Sequence, residues 1–176
     1  NSLEVVAISH AKTERDVNFA ANTPDLDTFL RQLYSQHKTS GKCISPEEVA
    51  KWFNDMFGLL YPARSTETFE NEVAFMKHFE HLRAQLSHIL SSCNEVNDDA
   101  FVDAFFEKLP EIKATLDKDL EATFLGDPAA KTKQVVIRSY PGFYAIAAYR
   151  LANALDTLGT LLIPRALTEH AHVLTG

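Results

Sequence analysis

Glycine is scarce in this sequence, six residues in 176. Parallel sheets with phosphate-binding turns and tight β-hairpins both use more of it, so helices are favoured before any periodicity is read. No GxGxxG or GxxxxGK[ST] spacing occurs, which removes the motif grounds for a dinucleotide or a nucleoside triphosphate. No GxSxG elbow occurs either, so an exposed serine nucleophile has no support. Positive charge is also short: 17 Lys and Arg stand against 24 Asp and Glu, a formal net charge of -7. A chain so charged has no global field with which to neutralise phosphates or anionic lipid, and neither nucleic acid nor membrane is expected as a partner. No apolar run approaches the roughly 18 to 20 residues of a spanning helix, and the opening NSLEVVAISH lacks the charge and cleavage pattern of a secretory signal. Cysteine is limited to Cys43 and Cys93, without CxxC spacing. That usage fits two small, buried or half-buried thiols in a reducing compartment, with a disulfide as the alternative, and a cytoplasmic location is expected.

Hydrophobic residues make up 45% of the chain, enough for a core. Their spacing is helical throughout. Thr23-Pro24-Asp25 reads as a helix start, with Thr23 as cap and Pro24 in the first turn, ahead of a stripe of Leu26, Phe29, Leu30, Leu33 and Tyr34. Ser45-Pro46-Glu47-Glu48 is a capping box, followed by Val49, Trp52, Phe53, Met56 and Phe57 on one face. A long helix is expected from about Thr66 to Leu90, on Phe69, Val73, Met76, Phe79, Leu82, Leu86 and Ile89. Asp98 or Asp99 starts a shorter one that Pro110 ends while opening the next, which runs to the break at Gly126-Asp127-Pro128. Val135 to Ile137 is a β-branched run too short to define a sheet, and two helices close the chain. The expectation is an all-α fold of about eight helices, with a helical domain over 1–126 and a smaller helical segment over 127–176. The apolar pattern runs unbroken into EHAHVLTG and residue 1 is not Met, which reads as a fragment of a longer protein.

Polar residues offer few sites. His78 and His81 lie one turn apart with His88 further on, and Glu169 and His172 make a single Glu-x-x-His, whereas a di-iron bundle needs two such motifs and two more Glu. No metal is expected. Cys43 beside Lys42 is read as an inert thiol. Asp117, Asp119, Glu121 and Asp127 form an acidic concentration that reads first as a solvated helix face ending in a cap at Asp127. Asp127 differs from the others in lying at a helix break, where loops present binding groups.

The stretch Asp127-Pro128-Ala129-Ala130, followed after a spacer by PGFYAIAAYRLANALDTLG and LLIPRALTEHAHVLTG, resembles the serine O-acetyltransferase family. Gly142-Phe143-x-Ala145 and Tyr149-Arg150 match the family's pattern, and the chain stops where the first coil of that family's hexapeptide-repeat left-handed β-helix would begin. The likeness is sharp over the last 50 residues or so, and residues 1 to about 115 are compatible with it as a helical domain of the right size. Tyr144 stands where many relatives have His, and Tyr149 and Asn153 where some do. The resemblance implies acetyl transfer from acetyl-CoA, a co-substrate, to L-serine, the step that commits serine to cysteine biosynthesis, with cysteine as feedback inhibitor. It implies a homo-oligomer, a trimer or a dimer of trimers, and O-acetylserine sulfhydrylase as a partner of the parent enzyme. The family's catalytic His and Asp would lie beyond Gly176, so the resemblance implies no catalytic residue and no bound cofactor in this chain, which would be inactive alone. Asp127 is implied as the serine-binding residue, through the substrate ammonium group. Phe143, Ile146 and Leu151 are read as packing residues, Arg150 as pairing with an acid across the trimer or snorkelling, and residues 161–175 as a weak association face. Two other readings are a helical interaction or regulatory module, and a hexapeptide-repeat acyltransferase with a different acceptor.

Overall fold

A computed structural model describes residues 23–41, 43–95 and 98–176. Eight α-helices and one 3₁₀ turn occur among them, and no strand, as an all-α fold requires. Two compact units are formed, one ending at Ser40 and the other running from Gly41 to Gly176.

The first unit contributes α1, Leu26–Thr39. Its cap is Asp25 rather than the expected Thr23. The Asp25 carboxylate accepts from the Thr28 backbone N–H at 3.0 Å, which satisfies a free helix-end donor, and from the Thr28 hydroxyl at 2.9 Å, which holds the carboxylate in place. None of the residues of α1 is buried.

The second unit holds α2 (Pro46–Leu60), a 3₁₀ turn (Pro62–Arg64), α3 (Glu72–Ser92), α4 (Asp99–Glu107), α5 (Leu109–Gly126), α6 (Lys133–Ser139), α7 (Pro141–Leu158) and α8 (Leu162–Thr175). The capping box at Ser45 is formed as expected, with Ser45 Oγ accepting from Glu48 N at 3.3 Å and Glu48 Oε2 accepting from Ser45 N at 3.2 Å. Helix α3 begins later than its apolar spacing implied. Asn71 Oδ1 accepts from Ala74 N at 2.9 Å and starts the helix there, which leaves Phe69 outside, edge-on against Phe75. The β-branched run at Val135 to Ile137 is helical, capped by Thr132 and buried at Val136 and Ile137. Leu116, Leu151, Leu155 and the large rings of Trp52, Phe53, Phe57, Phe105 and Phe143 are fully buried in one core. Trp52 Nε1 donates to the Leu82 carbonyl at 3.1 Å, so the indole's polar edge is satisfied inside that core.

Helix α7 packs on α8, α5, α4 and α6, and α2 packs on α8 and α3. Its small buried residues Ala147, Ala148, Ala152 and Ala154 let neighbouring helices approach closely. Gly159 ends α7 at φ 109°, a left-handed cap that other residues adopt at a cost. Gly58 serves a different purpose: a Cβ there would lie 3.2 Å from Ser65 Cα, so its absence lets the chain after the 3₁₀ turn pass against α2.

Cys43 and Cys93 are joined in a disulfide, contrary to the expectation of two separate thiols. The reason is tertiary. Residue 43 lies against 93 and Trp52 against Leu82, so α2 and α3 run antiparallel and bring the start of one to the end of the other. Just past the bridge, Asn94 takes φ 54° and Glu95 turns its carboxylate onto the N-terminus of α8. Glu95 accepts from Leu161 N at 2.8 Å, from Ile163 N at 3.3 Å, and from Leu162 N in a close contact. Leu161 has no side chain with which to cap that helix, so a residue remote in sequence does it. Glu95→Ala is expected to lower unfolding stability by about 1–2 kcal/mol, read as a reduced urea midpoint at unchanged slope. Reduction of the bridge should cost about 2–4 kcal/mol in the same assay, because it frees a long loop of the unfolded chain.

Candidate functional site

Helix α5 carries the acidic residues, and the structure separates them instead of gathering them. The acidic face stays partly solvated at Asp117 and Glu121, and Asp117, Asp119 and Glu121 each also have a partner from another part of the fold or from the next helical turn. Asp117 Oδ1 accepts from the Tyr61 hydroxyl at 2.9 Å and from Lys113 Nζ at 2.6 Å, while the Lys113 ammonium lies 4.6 Å from the Tyr61 ring centre. Burial pushes the Asp117 carboxyl up, but the bonds from Lys113 and Tyr61 outweigh it and hold the group below its usual value. Burial and the neighbouring carboxylate push the Tyr61 hydroxyl far up, so it stays a donor. Asp119 takes both arms of Arg150, Nε at 3.0 Å and Nη2 at 3.1 Å. Arg150 was expected to reach across a trimer or to snorkel; it instead ties α7 to α5 within one chain. Glu121 forms a close ion pair with Lys133 at the start of α6.

Asp127 is the acid with no cationic partner among the described residues: one bond comes from its own turn and one from Tyr140 beyond α6. It is the residue that closes α5, its backbone extended. Its Oδ1 accepts from Ala129 N at 2.8 Å and its Oδ2 from the Tyr140 hydroxyl at 2.7 Å. Those two bonds, the one from Tyr140 first, hold the carboxyl below its usual value, and the Tyr140 hydroxyl is raised in return. Asp127 is therefore an anion at neutral pH. It also stands at the C-terminal end of α5, where the last carbonyls carry partial negative charge and no basic residue lies in the last turn. A carboxylate in that position works against the helix dipole and attracts a cation. Local rules broken in this way are commoner at binding sites than elsewhere.

Tyr144 is a buried hub. Its hydroxyl donates to Asn54 Oδ1 at 3.0 Å and lies 3.1 Å from His170 Nε2, joining α2, α7 and α8. Phe143 and Leu151 are buried and Ile146 half-buried, as packing residues should be. Tyr149 and Asn153 are exposed. The histidines considered as ligands do not converge: His78 lies against the Phe69 ring at 5.2 Å, and His81, His88, Glu169 and His172 are exposed. Among the described residues no three His, Cys, Asp or Glu side chains are grouped to hold a metal ion. No helix among them is long and apolar enough to cross a membrane. On α8 the expected association face divides. Ile163, Pro164, Leu167 and Ala171 turn into the core, while Leu161, Leu162, Val173 and Leu174 remain exposed.

Sequence reasoning missed Tyr140 and Arg64. Tyr140 lies between the two quoted motifs, immediately before Pro141, and its role depends on a chain reversal that brings it back to Asp127. Arg64 carries no sequence signal; the cation lies 4.8 Å from the Tyr144 ring centre.

No family model matches the chain. Curated relatives do. A plasmid serine acetyltransferase of Synechococcus elongatus is 47% identical over 73 residues, which is 42% of this chain and 23% of the relative. A serine acetyltransferase of Helicobacter pylori is 43% identical over 61 residues, 35% of this chain and 36% of the relative. The matched part is thus about a third or less of the length of either relative. Among solved structures, native serine acetyltransferase 1 of Entamoeba histolytica superposes with a TM-score of 0.61 at 27% identity, over 84% of this chain and 59% of that one. The same enzyme in complex with L-cysteine gives a TM-score of 0.60 at 27% identity, over 84% and 58%. The chain is thus similar in sequence to part of these serine acetyltransferases and in fold to the Entamoeba enzyme.

The Asp127 carboxyl sets a pH dependence whose sign follows from its lowered pKa. Its contribution to stability is present above the ordinary value of 3.8 and is lost as pH falls through the lower folded-state value. Tyr140→Phe should move the Asp127 titration, followed by carbon-detected NMR, upward toward the ordinary value and shrink that acid-side loss.

Proposed function

We propose that this chain is the helical part of an enzyme that transfers an acetyl group from acetyl-CoA to the hydroxyl of L-serine, forming O-acetylserine for cysteine biosynthesis. The observation that carries this reading is the fold match to a serine acetyltransferase over 84% of the chain at 27% identity. In that reaction the serine Oγ bonds to the thioester carbonyl carbon and the C–S bond breaks. The hydroxyl proton passes to a base and on to the departing sulfur. In this reading the base and the acetyl-CoA groove belong to a left-handed β-helix outside these 176 residues, toward which residues 127–176 lead.

Within the chain, Asp127 would receive the ammonium group of serine. Three features support the assignment: the carboxylate is ionised, it is oriented by Tyr140 and Ala129, and it stands beside α5 carbonyls that also favour a cation. A charge-assisted bond fixes a small zwitterion more firmly than a neutral one, and so positions the hydroxyl for attack. The helical domain would also gather copies of the chain into a trimer or a dimer of trimers. L-Cysteine, bound by the Entamoeba relative, is proposed as feedback inhibitor of the whole protein, and O-acetylserine sulfhydrylase as its partner. A cytoplasmic location belongs to the same proposal. The Cys43–Cys93 bridge counts against that location, since a reducing compartment would keep both thiols free.

The experiment is thiol release from acetyl-CoA by the whole protein with L-serine, with threonine, with an amino sugar, or with no acceptor. Serine-dependent release is expected, with kcat/KM for serine lowered about tenfold or more by Asp127→Asn, and none from the 176-residue chain alone. Release with an amino sugar but not serine would give the reaction to another acceptor. No release with any acceptor would leave an interaction module. Full activity in Asp127→Asn would return Asp127 to the role of a turn residue.

A further inference from the structure

Arg64 is half-buried and has no carboxylate partner among the described residues. Arg83, Lys113 and Arg150, also half-buried, each hold an acid, whereas Arg64, like Lys108, holds none. A cation withdrawn from water is ordinarily paired. Arg64 is held by other means. Its Nη1 donates to the Arg138 carbonyl at 3.0 Å and its guanidinium carbon lies 4.8 Å from the Tyr144 ring centre and 5.4 Å from that of Phe57. The fork is thereby fixed in place with most of its donors unused.

Arg64 lines a small hollow of about 160 Å³ between the 3₁₀ turn, the α6–α7 junction and the end of α8. Arg138 lines it too, exposed and with no side-chain hydrogen bond or ion pair among the described residues. Among the described residues no Asp or Glu borders the hollow. The Tyr140 and Tyr144 hydroxyls at its wall are already donating, to Asp127 and Asn54, so the two guanidinium groups supply the charge there. Leu174 and Thr175 close the side toward the end of the chain. A larger cleft of about 570 Å³ shares both arginines but is bordered by Asp55 and Glu67, which would repel an anion from that side.

The geometry points to the small hollow as a carboxylate-binding site, with Arg64 as its oriented fork and Arg138 as its second cation. The planar guanidinium matches a carboxylate through paired N–H bonds. The hollow is well below the several hundred cubic ångströms of a typical cofactor pocket, so it suits a group of a few heavy atoms rather than a nucleotide. The carboxylate has two sources, the α-carboxylate of a small amino acid or an acidic side chain of the whole protein near the end of α8. The site does not rest on the role proposed for Asp127; the two touch only through Tyr140, whose hydroxyl is bonded to Asp127.

Acetate added to the 176-residue chain at constant ionic strength, followed by amide NMR, tests the site directly. Saturable shifts are expected at residue 64 and residues 138–141, at least fivefold weaker in Arg138→Gln and weakened in Arg64→Lys, which keeps the charge and loses the fork. No saturable shift, or equal shifts in Arg138→Gln, overturns the site. Tenfold tighter binding of inorganic phosphate overturns its assignment to carboxylates. In the whole protein, Arg138→Gln then separates the sources. A fivefold rise in KM for L-serine at unchanged KM for acetyl-CoA assigns the carboxylate to the substrate. An unchanged KM with a lower Tm of the whole protein, and an unchanged Tm of the 176-residue chain, assigns it to a side chain. The absence of both changes overturns the proposal, and a serine defect in Asp127→Asn beside an inert Arg138→Gln would leave the Asp127 reading standing alone.

Discussion

The burial of α7 is the constraint on which the second unit depends. Eight of its residues, from Phe143 to Leu155, are withdrawn from water, and each large side chain so buried is worth about 1.5–3 kcal/mol in transfer terms. Because α7 touches α8, α5, α4 and α6, fixing it orients most of the unit at once. Its Phe143 and Tyr144 rings reach the α2 rings Phe53 and Phe57 at centroid distances of 5.1–5.9 Å, extending the same packing to the remaining side. The polar contacts then select one arrangement. Arg150 reaches α5 through Asp119, and Tyr144 reaches Asn54 and His170.

This organisation explains why one acid stands apart from the rest. Asp117, Asp119 and Glu121 are committed to Lys113 with Tyr61, to Arg150 and to Lys133, and serve the packing of α5 against its neighbours. Asp127 receives its bonds from a backbone amide and a tyrosine hydroxyl, neither of them charged, and so keeps its full negative charge without a counter-ion among the described residues. Arg64 is its complement in sign, fixed by a carbonyl and by aromatic rings, with no ion-paired acid among the described residues. Tyr140 bonds the unmatched anion and lines the same hollow as the unmatched cation. The α6–α7 turn that carries Tyr140 is held by Val136, Ile137 and Phe143 in the core, so the chemistry rests on a rigid support.

Features set by neighbours in sequence were legible. The Ser45 box, the Pro110 junction, the Asp98 start and the apolar stripes of α2 and α7 all follow from three- and four-residue spacing, and so does the all-α fold. Features set by neighbours in space were not. The periodic residues before Asn71 continue a helical stripe on paper, yet Asn71 supplies a better helix start than Thr66. Two cysteines without CxxC spacing give no sign of pairing until α2 and α3 are known to be antiparallel. Glu95 caps a helix more than sixty residues away, and no local pattern marks it. Asp127 was identified through a resemblance carried by its flanking motifs; its bond to Tyr140 emerges only from the fold.

The most direct measurement is a crystal structure of the whole protein with L-serine bound. The Asp127 carboxylate is expected within about 3 Å of the substrate nitrogen, as a charge-assisted bond requires, with the Tyr140 hydroxyl still on its other oxygen. Serine bound with its ammonium group on other acids, and Asp127 remote from it, would contradict the assignment and leave this domain as scaffold alone.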